Sequence, residues 1–314
     1  MHLRVVVAGL LVALGCTAPG TDISPTVSAG QVTEPPATRV VLLGTGTPGA
    51  EPDRSGPATA VVIGDTSYIV DFGPGVVRQA SRASQRHGLR ALRPASLRTG
   101  FVTHLHSDHT AGYPDLILTP WVLGRRDALA VYGPPGTAAM TRSLLEAYRE
   151  DIRIRVDGPE GLSAEHGIAH GHDVEPGVVY EDEQVTVEAF KVSHGIWEHA
   201  YGYKFTSADR TIVISGDTGS FDDFVDIARG ADVLVHEAYG RVGFDRLHPS
   251  SQHYHGTFHT STTEVGELAT AADVGLVVLY HQLHFGGETP EELVREVQSA
   301  FDGRVVYGRD LDVY

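Results

Sequence analysis

From residue 38 onward the chain alternates short apolar runs with glycine-rich turns, and the runs have the length and the Val, Ile and Tyr content of strands. Arg39–Leu43 predicts a strand that ends in Gly44-Thr45-Gly46-Thr47-Pro48-Gly49, and Thr59–Ile63 with Ser67–Val70 predicts a hairpin turning at Gly64-Asp65. Further strands are expected at Phe101–Val102, Ala130–Tyr132, Val185–Val192, Tyr201–Phe205, Thr211–Ser215, Val233–Val235 and Leu276–Tyr280. Three stretches change to helical spacing. Thr137–Glu150 brings Met140, Leu144, Leu145 and Tyr148 to one face. Ser261-x-x-Glu264 is a capping-box start for a helix to about Ala272. Thr289-Pro290-x-Glu292 joins an N-cap to a proline at the first helical position, and Leu293, Val294, Val297 and Phe301 give that helix its buried face. Strands mixed with helices throughout predict one α/β layered domain over residues 38–314. The segment Glu146–Glu183 is the least regular, with eleven carboxylates against three arginines. It reads as an inserted, solvent-facing excursion near the site, with His170 and His172 as solvated loop histidines.

The first residues follow another pattern. His2 and Arg4 precede an unbroken apolar run, Val5–Leu14. That run is about half of the ~20 residues a membrane-spanning helix needs, so residues 1–16 are expected to be a secretory signal and 17–37 a turn-rich linker. Cys16 follows Ala13-Leu14-Gly15. This arrangement resembles the lipobox of bacterial lipoproteins, whose cysteine becomes the lipidated first residue, although Ala13 stands where leucine is preferred. Plain secretion with cleavage near Ala18 is the alternative. Either way the protein is expected to be exported, as a bacterial cell-envelope lipoprotein or a secreted protein. An N-terminal lipid is its only expected membrane contact.

Composition narrows the class. Hydrophobic residues at 41% and charged residues at 20% are those of an ordinary globular protein. The net charge is −16, and loss of Arg4 with the signal leaves 23 basic against 40 acidic residues. Nucleic-acid binding in general needs a basic face to displace counterions, so a nucleic-acid partner is not expected. One cysteine excludes both a disulfide framework and a Cys₄ zinc site. Seventeen histidines remain to be explained.

They cluster. Phe101-Val102 runs into Thr103-His104-Leu105-His106-Ser107-Asp108-His109. Four potential ligands in six residues beside a core strand are costly unless something binds them, and imidazole with carboxylate suits zinc or a neighbouring divalent transition ion. His104 and His106, two apart in an extended segment, point the same way. Asp108 and His109 follow a turn and face a second position, so two ions sharing one loop is the economical reading. Other apolar strands also end at ligand types: Val185–Val192 at His194, Thr211–Ser215 at Asp217, and Leu276–Tyr280 at His281. Strand ends of a layered α/β domain converge on one rim.

Through H-x-H-x-D-H the chain resembles the metallo-β-lactamase superfamily. The start LLGTGTP, Val70-Asp71-Phe72-Gly73-Pro74-Gly75, Tyr132-Gly133-Pro134-Pro135-Gly136, Ser215-Gly216-Asp217-Thr218 and His236-Glu237-Ala238 resemble its ribonuclease Z-like branch. Gly112-Tyr113-Pro114-Asp115 with Thr119-Pro120-Trp121 looks more like exported hydrolases and arylsulfatases. The resemblance implies a four-layer αββα sandwich with a dinuclear site holding two Zn²⁺, or Mn²⁺ or Fe²⁺ in their place. By it, His104, His106 and His194 hold one ion, Asp108, His109 and His281 the other, and Asp217 bridges both. True β-lactamases use a cysteine where Asp217 stands, and diiron flavoproteins a glutamate where His106 stands, so a hydrolase is implied. Metal-bound hydroxide is the expected nucleophile, with Asp108 orienting it. His259 and Glu237 match the residues that donate a proton to the leaving group in the tRNA-processing relatives. Backbone N–H groups at the helix start after His259 are expected to help cradle an anion. His253 and His255 are expected in an aromatic, polar loop close by, and Trp197, Tyr201, Tyr254, His255, His284 and Phe285 are candidate pocket residues.

The expected substrate is an anionic ester of a small molecule, a phosphodiester or sulfate ester. A lactone or other carboxylic ester is the alternative. tRNA 3′-processing and a non-catalytic binding lipoprotein rank lower, because the tRNA enzymes grip tRNA with a basic arm and the only comparable excursion here is acidic. Family relatives are often dimers, so a homodimer is a further expectation.

Overall fold

The computed structural model describes residues 37–221 and 223–314; the expected signal and lipobox (1–16) and linker (17–37, up to residue 36) lie outside them. β1 (Thr38–Gly44), β2 (Ala58–Ile63) and β3 (Thr66–Val70) form an antiparallel meander. α1 (Val76–His87) leads to β4 (Thr99–Phe101). α2 (Ser107–Thr110) and α3 (Tyr113–Val122) lead to β5 (Leu129–Gly133), and α4 (Thr137–Ala147) and α5 (Arg149–Asp157) to β6 (Ala169–Asp173). β3 to β6 pair in parallel and complete a six-stranded sheet in the order β1 to β6.

The second sheet is mixed in the same way. β7 (Gly177–Glu181), β8 (Val185–Lys191), β9 (Tyr201–Ser207) and β10 (Thr211–Ile214) are antiparallel neighbours. α6 (Phe224–Ala228) then leads to β11 (Val233–Tyr239). α7 (Arg241–Phe244), α8 (Pro249–Phe258) and α9 (Thr262–Ala272) lead to β12 (Leu276–Leu283), and α10 (Pro290–Gln298) to β13 (Arg304–Tyr307). β10 to β13 are parallel, and the seven strands lie in the order β13 to β7.

Side-chain alternation explains the layering. In β1, Val40 and Leu42 join the apolar core between the sheets, while Val41 and Leu43 join the core under α1 and α3. A strand buried on both faces reads as a continuous apolar run, and VVLL is such a run. On the far side, Val213, Leu234, Val277 and Leu279 pack against Phe224, Val265, Ala269, Leu293 and Val297 of α6, α9 and α10. The result is the expected four-layer αββα sandwich. Both capping boxes form, at Ser261 with Glu264 and at Thr289 with Glu292.

Three expectations change. The helix over Thr137–Glu150 breaks at Tyr148, where ψ is 12°, and restarts as α5. Glu146–Glu183 is no insertion: it holds α5, β6 at the edge of the first sheet and β7 at the edge of the second. An edge strand has only one neighbour and tolerates charge on its open side, which hid both strands among carboxylates. His170 and His172 are therefore strand residues, and His172 stacks on Tyr132 with ring centroids 4.9 Å apart. Third, the aromatic, polar stretch with His253 and His255 is α8, opened by Pro249 after the His248 cap.

One charge is buried without a carboxylate. Arg125 is 2% exposed, and its guanidinium donates to the carbonyls of Leu97, Leu116, Ile117, Ile168 and Asp127 at 2.8–3.4 Å. It ties the end of α3 to the strands on either side.

Candidate metal centre

Loops at the ends of the strands bring the predicted ligands to one rim. After β4 the chain stays extended through His104 and His106, and α2 then turns Asp108 and His109 the other way. His194 follows β8 and Asp217 follows β10. Gly216, before Asp217, has φ +63°, and a Cβ there would lie 2.6 Å from the Tyr201 carbonyl oxygen, so the turn requires glycine. His281 differs from expectation. It lies inside β12, which continues to Leu283, at a bulge where Tyr280 pairs with Glu237 and Gln282 with Ala238. Its φ of 46° turns it out of the ladder.

The imidazoles meet nitrogen to nitrogen. Nδ1 of His106 lies 2.9 Å from Nε2 of His104 and 3.1 Å from Nε2 of His194. Nε2 of His109 is 3.3 Å from Asp217 and 3.5 Å from Asp108, and Nε2 of His281 is 3.3 Å from Asp108 and 3.5 Å from Asp217. Four groupings have ligand atoms within 4.8 Å of one another: His104, His106 and His194; His104, His109 and Asp217; Asp108, His109 and His281; and Asp217, His259 and His281. Three of the outward nitrogens are held in place, while Nδ1 of His281 has no hydrogen-bond partner among the described residues. Nδ1 of His104 meets the Thr103 hydroxyl at 3.0 Å, Nδ1 of His109 meets Asp71 at 2.7 Å, and Nδ1 of His194 donates to the Phe258 carbonyl at 2.9 Å. Sequence reasoning quoted Asp71 within a motif but gave it no role. Its signal was a carboxylate at a strand end.

The protonation balance suits a cation. Burial holds His104 and His106 below the usual histidine value, and lowers His194 to about 4. Burial opposes ionisation of Asp108 and Asp217, yet the adjacent histidines His281 and His109 hold both below the usual carboxylate range. Burial also opposes a charge on His109, but Asp217 and Asp71 raise it well above the usual value. The carboxylates around Nε2 of His109 thus call for positive charge. That nitrogen and Oδ1 of Asp217 are buried with no hydrogen-bond partner among the described residues. Neutral imidazoles at His104, His106 and His194, ionised carboxylates and orphaned inward atoms are what a divalent metal requires, and its charge would take the place of the proton on His109; the residues fit one.

His259 and Glu237 lie beside this cluster. Glu237 is fully buried, its Oε1 accepts the N–H groups of Thr218 and Thr260, and it sits 3.4 Å from Nδ1 of His259. Burial lowers the pKa of His259, but Glu237 and Asp217 outweigh it and the net shift is upward. The expected backbone anion cradle is largely used up. Thr260 N–H goes to Glu237, Ser261 N–H to Glu264, and Glu264 N–H to Ser261.

The pocket candidates divide into separate places. Trp197 packs edge-on to His106, ring centroids 4.8 Å apart, and its indole N–H donates to Nε2 of His106. An Nδ1 ligand keeps its proton on Nε2, so this hydrogen bond and cation binding through Nδ1 exclude one another. His255 lies on the other side, against Phe285 at 4.3 Å and Tyr254 at 5.0 Å, and 6.1 Å from His259. Tyr201 is 1% exposed and belongs to the core, while His284 is engaged by Tyr307 and the Glu288 carbonyl.

Comparison with known proteins agrees with this geometry. The family model described as a beta-lactamase superfamily domain matches residues 66–282. Ribonuclease Z of Mycobacterium bovis (strain BCG / Pasteur 1173P2) is 32% identical over 276 residues, covering 87% of this chain and 96% of that protein. Ribonuclease Z of Mycobacterium sp. (strain KMS) is 36% identical over 248 residues, covering 78% and 84%. The fold is shared with the metallo-beta-lactamase fold protein YhfI from Bacillus subtilis, at TM-score 0.66, 20% identity, and coverage of 88% of this chain and 99% of that one. Human tRNase Z, short form, shares it at TM-score 0.65, 22% identity, and coverage of 88% and 98%. The chain belongs to the metallo-β-lactamase superfamily, in its ribonuclease Z-like branch.

Proposed function

We propose that this metal-dependent hydrolase cleaves an anionic ester of a small molecule, a phosphodiester or sulfate ester. The observation that carries the reading is the convergence of eight His and Asp side chains, the seven expected ligands and His259, with the inward atoms of His109 and Asp217 left unpartnered. His104, His106 and His194 would hold one divalent cation, Asp108, His109 and His281 a second, and Asp217 both. Two such ions, zinc in the first instance, supply a water ionised near neutral pH and positive charge against the ester oxygens. Asp108 is only partly buried and orients the attacking water from the open side. His259 gives a proton to the leaving oxygen, and Glu237 holds the His259–Thr260 turn in place.

The surroundings support a small substrate. The three arginines between Glu146 and Glu183 are already paired: Arg149 with Glu146, Arg153 with Glu150, and Arg155 with Asp151 and Glu160. That leaves the exposed Arg142 of α4 as a single arginine here for a polynucleotide backbone. The relatives named ribonuclease Z favour a second reading, cleavage of precursor tRNA.

Zinc-loaded protein should be assayed on bis(p-nitrophenyl) phosphate, p-nitrophenyl sulfate, a lactone, a β-lactam and a precursor tRNA, with His106→Ala as control. Turnover of the diester or the sulfate, lost in the variant, is the expected result. Cleavage of precursor tRNA alone would install the second reading. Turnover of the lactone alone would make the chain a carboxylic-ester hydrolase, and no turnover at full metal occupancy would leave a binding protein.

A further inference from the structure

Two cavities open beside the metal centre, and their chemistry differs. One, about 500 Å³, has the charged side chains of Glu51, Arg54 and Asp108 in its lining. The other, about 350 Å³, is lined by Leu105, Pro135, Ile196, Trp197, Glu198 and His199. Leu105 separates His104 from His106, and the Trp197 ring lies 4.8 Å from the His106 ring, so this second cavity begins one side chain from the cluster. Its apolar wall is unusually open. Ile196 is 93% exposed, and Trp197 is half-buried, whereas the chain's other tryptophan, Trp121, is 4% exposed in the core. Apolar surface left in water next to a reaction centre is surface that a ligand gains by covering.

We propose that this cavity receives the uncharged apolar arm of the substrate, an aryl group in the first instance, while the anionic group sits at the metal centre. The inference rests on the hydrolase reading and names the substrate class within it. Three features fix the occupant. The volume is at the small end for ligand pockets and takes about one ring system. The aromatic face of Trp197 with Ile196, Leu105 and Pro135 offers ring contacts, and the polar lining is confined to Glu198 and His199. The Glu198 carboxylate, 82% exposed at the rim, repels a second negative charge, so an arm that continues as a phosphate chain is disfavoured. The wall does not depend on the indole hydrogen bond to His106, because the ring packs edge-on to that imidazole irrespective of its N–H.

Calorimetric binding of phenylphosphonate and methylphosphonate to the zinc-loaded protein isolates the apolar arm from the anion. Phenylphosphonate is expected to bind about tenfold tighter. The advantage should vanish in Trp197→Ala, shrink severalfold in Ile196→Ser, and persist in Trp197→Phe, which keeps the ring and loses the donor. Metal content, measured on each variant, should equal that of the parent. Equal binding of the two anions by the parent, or an undiminished phenyl advantage in Trp197→Ala and Ile196→Ser, would overturn the inference. Turnover is read separately, so failure of the hydrolase reading leaves this binding result interpretable.

Discussion

Asp71 is 1% exposed, at the end of β3, with φ +62°. Its Oδ2 holds Nδ1 of His109, and its Oδ1 accepts the Thr103 N–H. One carboxylate thereby orients a ligand ring and the start of the His104–His106 segment. Such partners of metal-binding histidines are worth roughly 10–100-fold in metal affinity. Asp71→Asn, which keeps the shape and removes the charge, should weaken zinc binding by about that factor in a chelator competition. Unchanged affinity would reduce Asp71 to packing. The ligand histidines were legible in the sequence because their types and spacing are improbable near a core strand. Asp71 was not, since a strand-end carboxylate signals a turn as readily as a partner. Nor was the bulge at His281, which exists only through the pairing of β12 with β11.

Among the elements, those with a strong period or a cap were legible, and those defined by their neighbours were not. The Ser261 and Thr289 caps mark α9 and α10 because the side chain that stops the helix is written beside it. α8 has no apolar stripe and no buried residue, while β6 and β7 are edge strands that take their structure from the one strand each pairs with. Arg125 illustrates the same dependence, since nothing beside it in sequence announces five carbonyl partners. Arg125→Met is expected to leave those carbonyls without a donor and to cost roughly 3–5 kcal/mol, read by urea unfolding. Arg125→Lys should recover little, because one ammonium does not span the fork. A loss under about 1 kcal/mol would show that water replaces the guanidinium.

The described residues form two sheets with helices outside, and the candidate centre sits on the rim where the ends of both sheets meet. The three apolar cores take in aliphatic and aromatic side chains from both sheets and from the outer helices. Chelation should therefore lower the melting temperature without unfolding the chain, and zinc should restore it, because a ligand that binds only the native state stabilises it by mass action. Full unfolding on chelation would contradict that expectation. Export remains a proposal carried by residues 1–16. Acyl labelling in a bacterial host is expected to mark the parent and be lost in Cys16→Ser, while labelling of neither would favour plain secretion.

The sequence by itself determined the layered α/β class, the capped helices and the seven candidate ligand residues that the structure brings together, because local periods and improbable clusters survive without three-dimensional context. Tertiary structure alone decided which nitrogen of each imidazole faces inward, that Asp71 and the Phe258 carbonyl hold two of the rings, that His281 stands on a bulge, and that Trp197 is separated from His255 and Phe285. These depend on contacts between residues tens to hundreds of positions apart, and such contacts have no period along the chain. The hydrophobic pattern specifies which faces are buried, while pairing and packing specify where each polar atom then points.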